Sequence, residues 1–156
     1  MTEDQISNAI YDWITGVTGV KAIFSMQDGP VPPKPYIEIN VLTGPMKLGG
    51  QDDLRRDGEE FTLTGPRNLM CSINVHGAEA FDILSKAHDS LDDPAVIDSL
   101  EAAGLTVIDE GNPTDLSELQ ETHFETRFQM DVEFGLASDY KVEPDIIESA
   151  EVTSLI

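Results

Sequence analysis

The chain has 156 residues, 40% of them hydrophobic, with nine basic side chains against thirty acidic ones and a formal charge of −21. That length and apolar content suit one packed domain and exclude wholesale disorder. The charge excludes an electrostatic grip on nucleic acid or on an anionic lipid surface, because both need clustered cations.

The acid is unevenly spread: residues 1–70 hold six basic and ten acidic side chains, and residues 71–156 hold three and twenty. Two readings stand side by side, a heavily hydrated soluble surface and a wall along which DNA passes without adhering. No apolar run approaches the ~18 residues of a membrane-spanning helix. The acidic start MTEDQISNAI lacks the basic and apolar segments of a secretory signal. One cysteine, Cys71, cannot form an internal disulfide, which fits a reducing compartment.

In chain order, Thr2 and Gln5 frame Glu3 and Asp4 in the form of a capping box. Ile6, Ile10, Trp13, Ile14 and Val17 then recur at helical spacing, predicting a helix over 3–18 that stops near Gly19. Val20 to Ser25 reads as a short strand, and GPVPPKP, 29–35, as a stiff ordered connection rather than a PxxP ligand. Tyr36 to Thr43 is a strand with Ile37, Ile39 and Val41 on one face, and Gly44-Pro45 bends or ends it. GGQDDLRRDGEE, 49–60, reads as the mobile tip of a long hairpin. Phe61 to Thr64 and Asn68 to His76 are strands, the second aligning Leu69, Cys71, Ile73 and Val75.

Gly77 opens a second helical stretch whose stripe is Phe81, Leu84, Ala87 and Leu91, with Ile83 beside it. Asp93 and Pro94 start a third helix carrying Val96, Ile97, Leu100 and Ala103, closed by Gly104. Leu105 to Asp109 is a strand and GNPTDLSEL a loop or single turn. Thr122 to Leu136 then alternates strictly: Thr122, Phe124, Thr126, Phe128, Met130, Val132, Phe134 and Leu136 on one row, six polar residues on the other. That is the pattern of one half-buried strand of roughly 50 Å at ~3.3 Å per residue. Past Ala137 the chain turns acidic and loses its pattern. The boundaries expected are a domain over 1–138 and an acidic extension over 139–156 that is loose or docks on a neighbour. The element order predicts an α+β fold: two layers, a mainly antiparallel sheet with a long hairpin, and helices packed on one face.

Chemistry is sparse. His76, His88 and His123 are scattered without metal-ligand spacing, and no GxSxG, P-loop or GxGxxG occurs, so no cofactor, metal or catalytic residue is expected. An enzyme reading needs Cys71 as nucleophile with His76 or His123 beside it in an electropositive pocket. The DG within 52–58 resembles a calcium loop, but counted from Asp53 the third position is Arg55 and the twelfth Thr64, both wrong for calcium. Arg55 and Arg56 admit two readings: local neutralisation of Asp52, Asp53 and Asp57, or contact with an acidic neighbour.

The segments WITGVTGV, PKPYIEINVLTGP, the charged hairpin tip, GPRNLMCSINVHG followed by a helix, a double helix ending in GL, and DLSELQETHFETRFQMDVEF occur in an order that resembles the tailed-phage neck terminator family. The resemblance covers about residues 5–138, with Trp13, Pro35, Tyr36, Gly44, Pro45, Arg67, Gly77, Glu125 and Arg127 at pattern positions. It implies a structural virion protein of the neck, not an enzyme. Such proteins form hexameric rings at the head-proximal end of the tail tube, terminate its growth and meet the head connector or stopper. The implied partners are further copies of the chain, the tail tube, the sheath if the tail is contractile, and DNA that passes without specific binding; no membrane is implied. The alternatives are another connector part, such as a stopper or tube protein, and the small enzyme described above. Interface candidates are Leu48, Asp52, Asp53, Arg55, Arg56 and Asp57 at the hairpin tip, with Glu125, Arg127, Asp131 and Glu133 on the polar row of the long strand.

Overall fold

In the computed structural model, which describes residues 1–120 and 123–143, the first helix, α1 (Glu3–Thr18), begins on the capping box read from the sequence. The Thr2 hydroxyl accepts from the Gln5 amide at 3.2 Å and the Gln5 side-chain oxygen accepts from the Thr2 amide at 2.8 Å. Two otherwise orphaned donors are thereby satisfied. Ile6, Ile10, Trp13 and Ile14 form the buried stripe.

Two further helices, α2 (Ala80–Ser90) and α3 (Pro94–Ala102), separate an early and a late group of strands. The early group is β1 (Ala22–Phe24), β2 (Tyr36–Lys47), β3 (Asp53–Asp57) and β4 (Glu60–His76); the late group is β5 (Thr106–Glu110), β6 (Thr114–Asp115), β7 (Glu118–Gln120), β8 (His123–Glu125) and β9 (Arg127–Val142). The main sheet runs β1-β2-β4-β9-β5, with β3 added to β4 and β6 to β9, while β7 and β8 form a separate two-stranded piece. Only the β1–β2 pairing is parallel among the described residues. This is the α+β architecture expected, with helices on one sheet face.

The sheet is organised by β4 and β9, which pair without a register shift through sixteen positions, from Phe61↔Val142 to His76↔Arg127. Directly opposed residues share a face, so Leu69, Cys71, Ile73 and Val75 meet Phe134, Val132, Met130 and Phe128 under the helices. Ile37 and Ile39 of β2 extend that layer. Trp13 locks α1 into it twice, edge-on to Phe134 at 6.1 Å between ring centroids and donating its indole N–H to Ser90 Oγ at 3.0 Å. Gly77, at φ +113°, turns the chain out of β4 where a Cβ would lie 2.9 Å from Lys34 Cβ and 3.1 Å from Pro35 Cα.

Several expected boundaries move, and the availability of a pairing partner explains each. The predicted strand from Thr122 breaks at Thr126; β4 ends at His76, so residues ahead of Arg127 lack that partner and His123–Glu125 pairs with β7 instead. Thr122 lies outside the described residues. Phe124 is 67% exposed rather than part of the apolar row. At the other end β9 runs past Leu136 to Val142, because Phe61–Pro66 is there to pair with it. The two strands expected in 61–76 are one, and 53–57, expected in a mobile tip, is a strand. Gly44-Pro45 bends β2 without ending it: the register shifts between Val41 and Thr43 and again between Thr43 and Met46, bulges that let β2 carry proline beyond its pairing with β1, where it is the sheet's edge. Residues expected as loop at 111–119 include β6 and the start of β7. Phe81 leaves the expected stripe, 55% exposed and edge-on to Phe128, while Ala80 turns inward; Ala103 is also exposed.

Two substitutions test the break in the long strand. Phe134→Ala should lose about 3–5 kcal/mol in urea unfolding, the cost of a cavity at a fully buried ring. Phe124→Ala should stay within ~0.5 kcal/mol of the parent; comparable losses at both positions would restore the single uninterrupted strand.

Candidate functional site

Beyond Arg67 the β4·β9 ladder continues with β3 on its other side, making a three-stranded arm. Here β3 is exposed at all five residues. Leu54 opposes Leu63, which opposes Tyr140; Arg56 opposes Phe61, which opposes Val142. The unbroken register carries both rows onto the sheet face that, farther along, packs under the helices. Leu54 is 54% and Tyr140 65% exposed. Their cross-strand contacts hold the arm together at roughly 0.2–1 kcal/mol per pair, and leave apolar surface uncovered. The Arg56 guanidinium lies 5.4 Å from the Phe61 ring centroid and donates to the Gly58 carbonyl at 2.8 Å.

The arm is clamped at its root. Arg67 makes a bidentate pair with Asp52, at 3.0 and 2.7 Å, and Lys47 Nζ stands 3.8 Å from the same carboxylate. A side chain at Gly65 would collide with that carboxylate, so the missing Cβ is what lets the loop close on the strand. The Arg67 hydrogen bonds hold the Asp52 carboxyl below the ordinary range, and the reciprocal contact raises Arg67. Between the clamp, α3 and β5 lies a groove of about 630 Å³, lined in part by Leu48, Arg55, Glu101, Ile108 and Leu136.

The sheet face away from the helices is polar and cross-braced. Arg127 donates to Asn74 Oδ1 at 3.2 and 2.8 Å, Asn74 to Ser72 Oγ at 3.2 Å, and Gln129 to Ser72 Oγ at 2.7 Å and Asp131 Oδ1 at 3.3 Å. Asn68 donates to Glu133. Long polar side chains thus bury Ser72 and Asn74 while satisfying them. At the end opposite the arm, His76 stacks on Tyr36 at 4.8 Å and approaches Glu125 at 3.3 Å. Lys34 first and His76 second lower the Glu125 carboxyl, while burial foremost raises the Tyr36 phenol.

The interface candidates therefore fall into two places. Leu48, Asp52, Asp53, Arg55, Arg56 and Asp57 sit on the arm or its root. Glu125, Arg127, Asp131 and Glu133 sit on or beside the polar face, and the side chains of Arg127 and Glu133 are engaged by neighbours in the same chain. The sequence reading missed Phe61, Leu63 and Tyr140 as one surface, and missed the Lys47–Asp52–Arg67 clamp. The signal available was Asp57-Gly58, a tight-turn pair between alternating residues.

Cys71 and His76 do not meet. They lie on opposite faces of β4, one under the helices and one on the polar side. Burial pushes the thiol up to about 12, far from nucleophilic. The 52–58 segment, which Arg55 and Thr64 already excluded as a calcium loop, contains the strand β3. Among the described residues no group of three or more His, Cys, Asp or Glu side chains is arranged to hold a metal ion, and no helix is long and apolar enough to cross a membrane.

Compared with known families, the chain matches phage neck terminator proteins over residues 4–156. No curated protein matches it.

Two measurements test this geometry. The Cys71 thiol should react with a disulfide reagent on unfolding and at least 100-fold more slowly before it, as expected for a buried thiol; prompt native reaction would show an open site. The lowered Asp52 carboxyl stabilises the clamp above its unfolded pKa, and that stabilisation is lost as pH falls through the lower folded value. Amide exchange in β3 should therefore hold steady from pH 7 to about 4, after allowance for intrinsic rates, and accelerate below. Asp52→Asn should remove the step while leaving exchange in Leu69–Val75 unchanged.

Proposed function

The chain belongs to the phage neck terminator family, structural proteins of the neck that join head and tail components, and from that premise we propose that copies of it close into a ring at the head-proximal end of the tail. The ring ends growth of the tube, offers the head connector or stopper its docking surface, and lets DNA pass through its lumen. Family membership over nearly the whole chain carries this reading.

Physical features of the chain support it. A ring is built by a heterologous contact, one surface of each copy against a different surface of the next. The arm offers such a surface, with exposed strand edges and uncovered apolar rows. Six copies at −21 each carry −126, so a lumen lined by this chain repels phosphate rather than gripping it. In this reading the chain acts through surfaces, with neither cofactor nor reaction, and its neighbours are the tail tube, the connector, and the sheath where the tail contracts.

A phage carrying a stop codon early in this gene should produce filled heads and separate tails of uncontrolled length in electron micrographs. Normal joined virions, or unjoined tails of normal length, would overturn the terminator role. Charge repulsion also gives self-assembly a salt dependence: the purified chain should shift from monomer toward rings as sodium chloride rises from about 0.05 to 0.5 M, where screening shortens to a few ångströms. Assembly weakened by salt would overturn the repulsion argument.

A further inference from the structure

The net charge conceals a sharp division. The arm and its root, 47–67 and 136–143, hold five of the nine cations (Lys47, Arg55, Arg56, Arg67, Lys141) against seven acids, a balance of −2. The other described residues hold four cations against nineteen acids, a balance of −15. From Ala87 to Thr126 the chain has no lysine or arginine at all. That cation-free stretch includes α3 and β5, which present exposed Asp98, Glu101 and Asp109; Glu101 lines one groove with Ile108, itself 49% exposed. Asp98 and Glu101 stand three apart and so share one face of α3.

The arm is the complement of this shoulder. It offers Leu54, Leu63 and Tyr140 as an apolar row and Arg56 beside Phe61, on a part of the chain whose balance is only −2. We propose that the arm of one copy docks through Leu54, Tyr140 and Arg56 onto the α3–β5 shoulder of a second copy, around Asp98, Glu101 and Ile108. This rests on the ring reading for its setting, and it names the two surfaces that make the ring.

Charge decides between the shoulder and other sites on a second copy. Arm against arm would leave the shoulder's carboxylates unpaired and Ile108 uncovered. Arm against shoulder sets Arg56 against carboxylates in a stretch without lysine or arginine and covers both apolar patches. The contact joins unlike surfaces, so it propagates from copy to copy until a ring closes. The arm face, about seven residues by three strands, covers roughly 300 Å² at ~3.3 Å per residue and ~4.8 Å per strand. A stable interface buries about 800 Å² per partner, so the arm is the anchor of a wider contact.

The test uses full-length chains in analytical ultracentrifugation at about 0.5 M sodium chloride. Leu54→Glu with Tyr140→Glu removes the anchor and leaves the shoulder; Asp98→Lys with Glu101→Lys does the reverse. Both pairs change exposed positions, so parental near-ultraviolet dichroism and urea midpoint serve as the folding control. Each variant alone should sediment as monomer at concentrations where the parent forms rings. Mixed, they should form a 1:1 dimer and stop, because one intact arm and one intact shoulder remain. Arg56→Ala, a milder change, should weaken assembly about 5- to 30-fold. Variant rings like the parent's would sink the arm–shoulder contact and leave the ring reading intact, as would a mixture that stays monomeric beside a ring-forming parent. A parent that stays monomeric, with joined virions persisting when the gene is stopped, would sink both. Parental rings in the arm variant that no longer bind isolated tails would assign the arm to a tail protein and overturn the proposal.

Discussion

The fold depends on one constraint, the unshifted sixteen-position register between β4 and β9. A side-chain period of two makes any slip by one residue transfer every buried group to the opposite face. Leu69, Cys71, Ile73 and Val75 with Phe134, Val132, Met130 and Phe128 fix the register where helices cover the sheet. The arm inherits that register. Leu63 and Tyr140 share a row with Leu54 because the core several residues away has already set the phase. The core thus stabilises the domain and aims a surface that lies outside it.

The two sheet faces divide the work. Under the helices, burial of apolar area supplies the stability. On the other face, buried Ser72 and Asn74 are tolerable because Arg127, Gln129 and each other supply partners. Among the described residues His76 Nε2 and Asn68 Oδ1, on the same face, have no hydrogen-bond partner. That face therefore carries polar groups knitted into the fold, and the arm carries apolar groups that are not. The distinction divides the residues that the sequence marked for an interface: Arg127 and Glu133 are held by neighbours on the polar face, while Asp53 is exposed on β3.

Local pattern was legible where local physics decides. The capping box at Thr2, the α1 stripe, the N-cap at Asp93 and the alternation of β4 all follow from short-range rules. The ends of the long strand were not legible, because alternation from Thr122 to Leu136 describes side-chain polarity and says nothing of which strand lies alongside. Strand ends were set by where β4 begins and stops. Tyr140 escaped notice for the same reason: in sequence it belongs to an acidic stretch, and only pairing with Leu63 makes it part of a surface. The Asp52–Arg67 clamp spans fifteen residues and needs the bare Gly65 between its partners, a steric condition that composition does not reveal.

The arm's order follows from the same features, and in the ring reading it bears on how copies meet. An isolated hairpin is marginal in water, and ordering each residue costs about 1–2 kcal/mol of backbone entropy. Continuity with the core ladder removes much of that cost, since the first arm pairs are nucleated by Leu69 and Phe134 rather than formed from coil. The clamp then fixes the root, and the Leu54–Leu63–Tyr140 row stiffens the rest. An arm already ordered loses little freedom on docking, so a modest apolar face goes further in association than the same residues on a flexible loop. Repulsion between highly acidic bodies opposes that gain. It falls off within about a Debye length, whereas the arm's contacts act at van der Waals range. In the ring reading this balance gives copies that stay apart when dilute and close together once held side by side. A closed ring then occupies every arm and every shoulder, leaving no lateral surface for another copy to join.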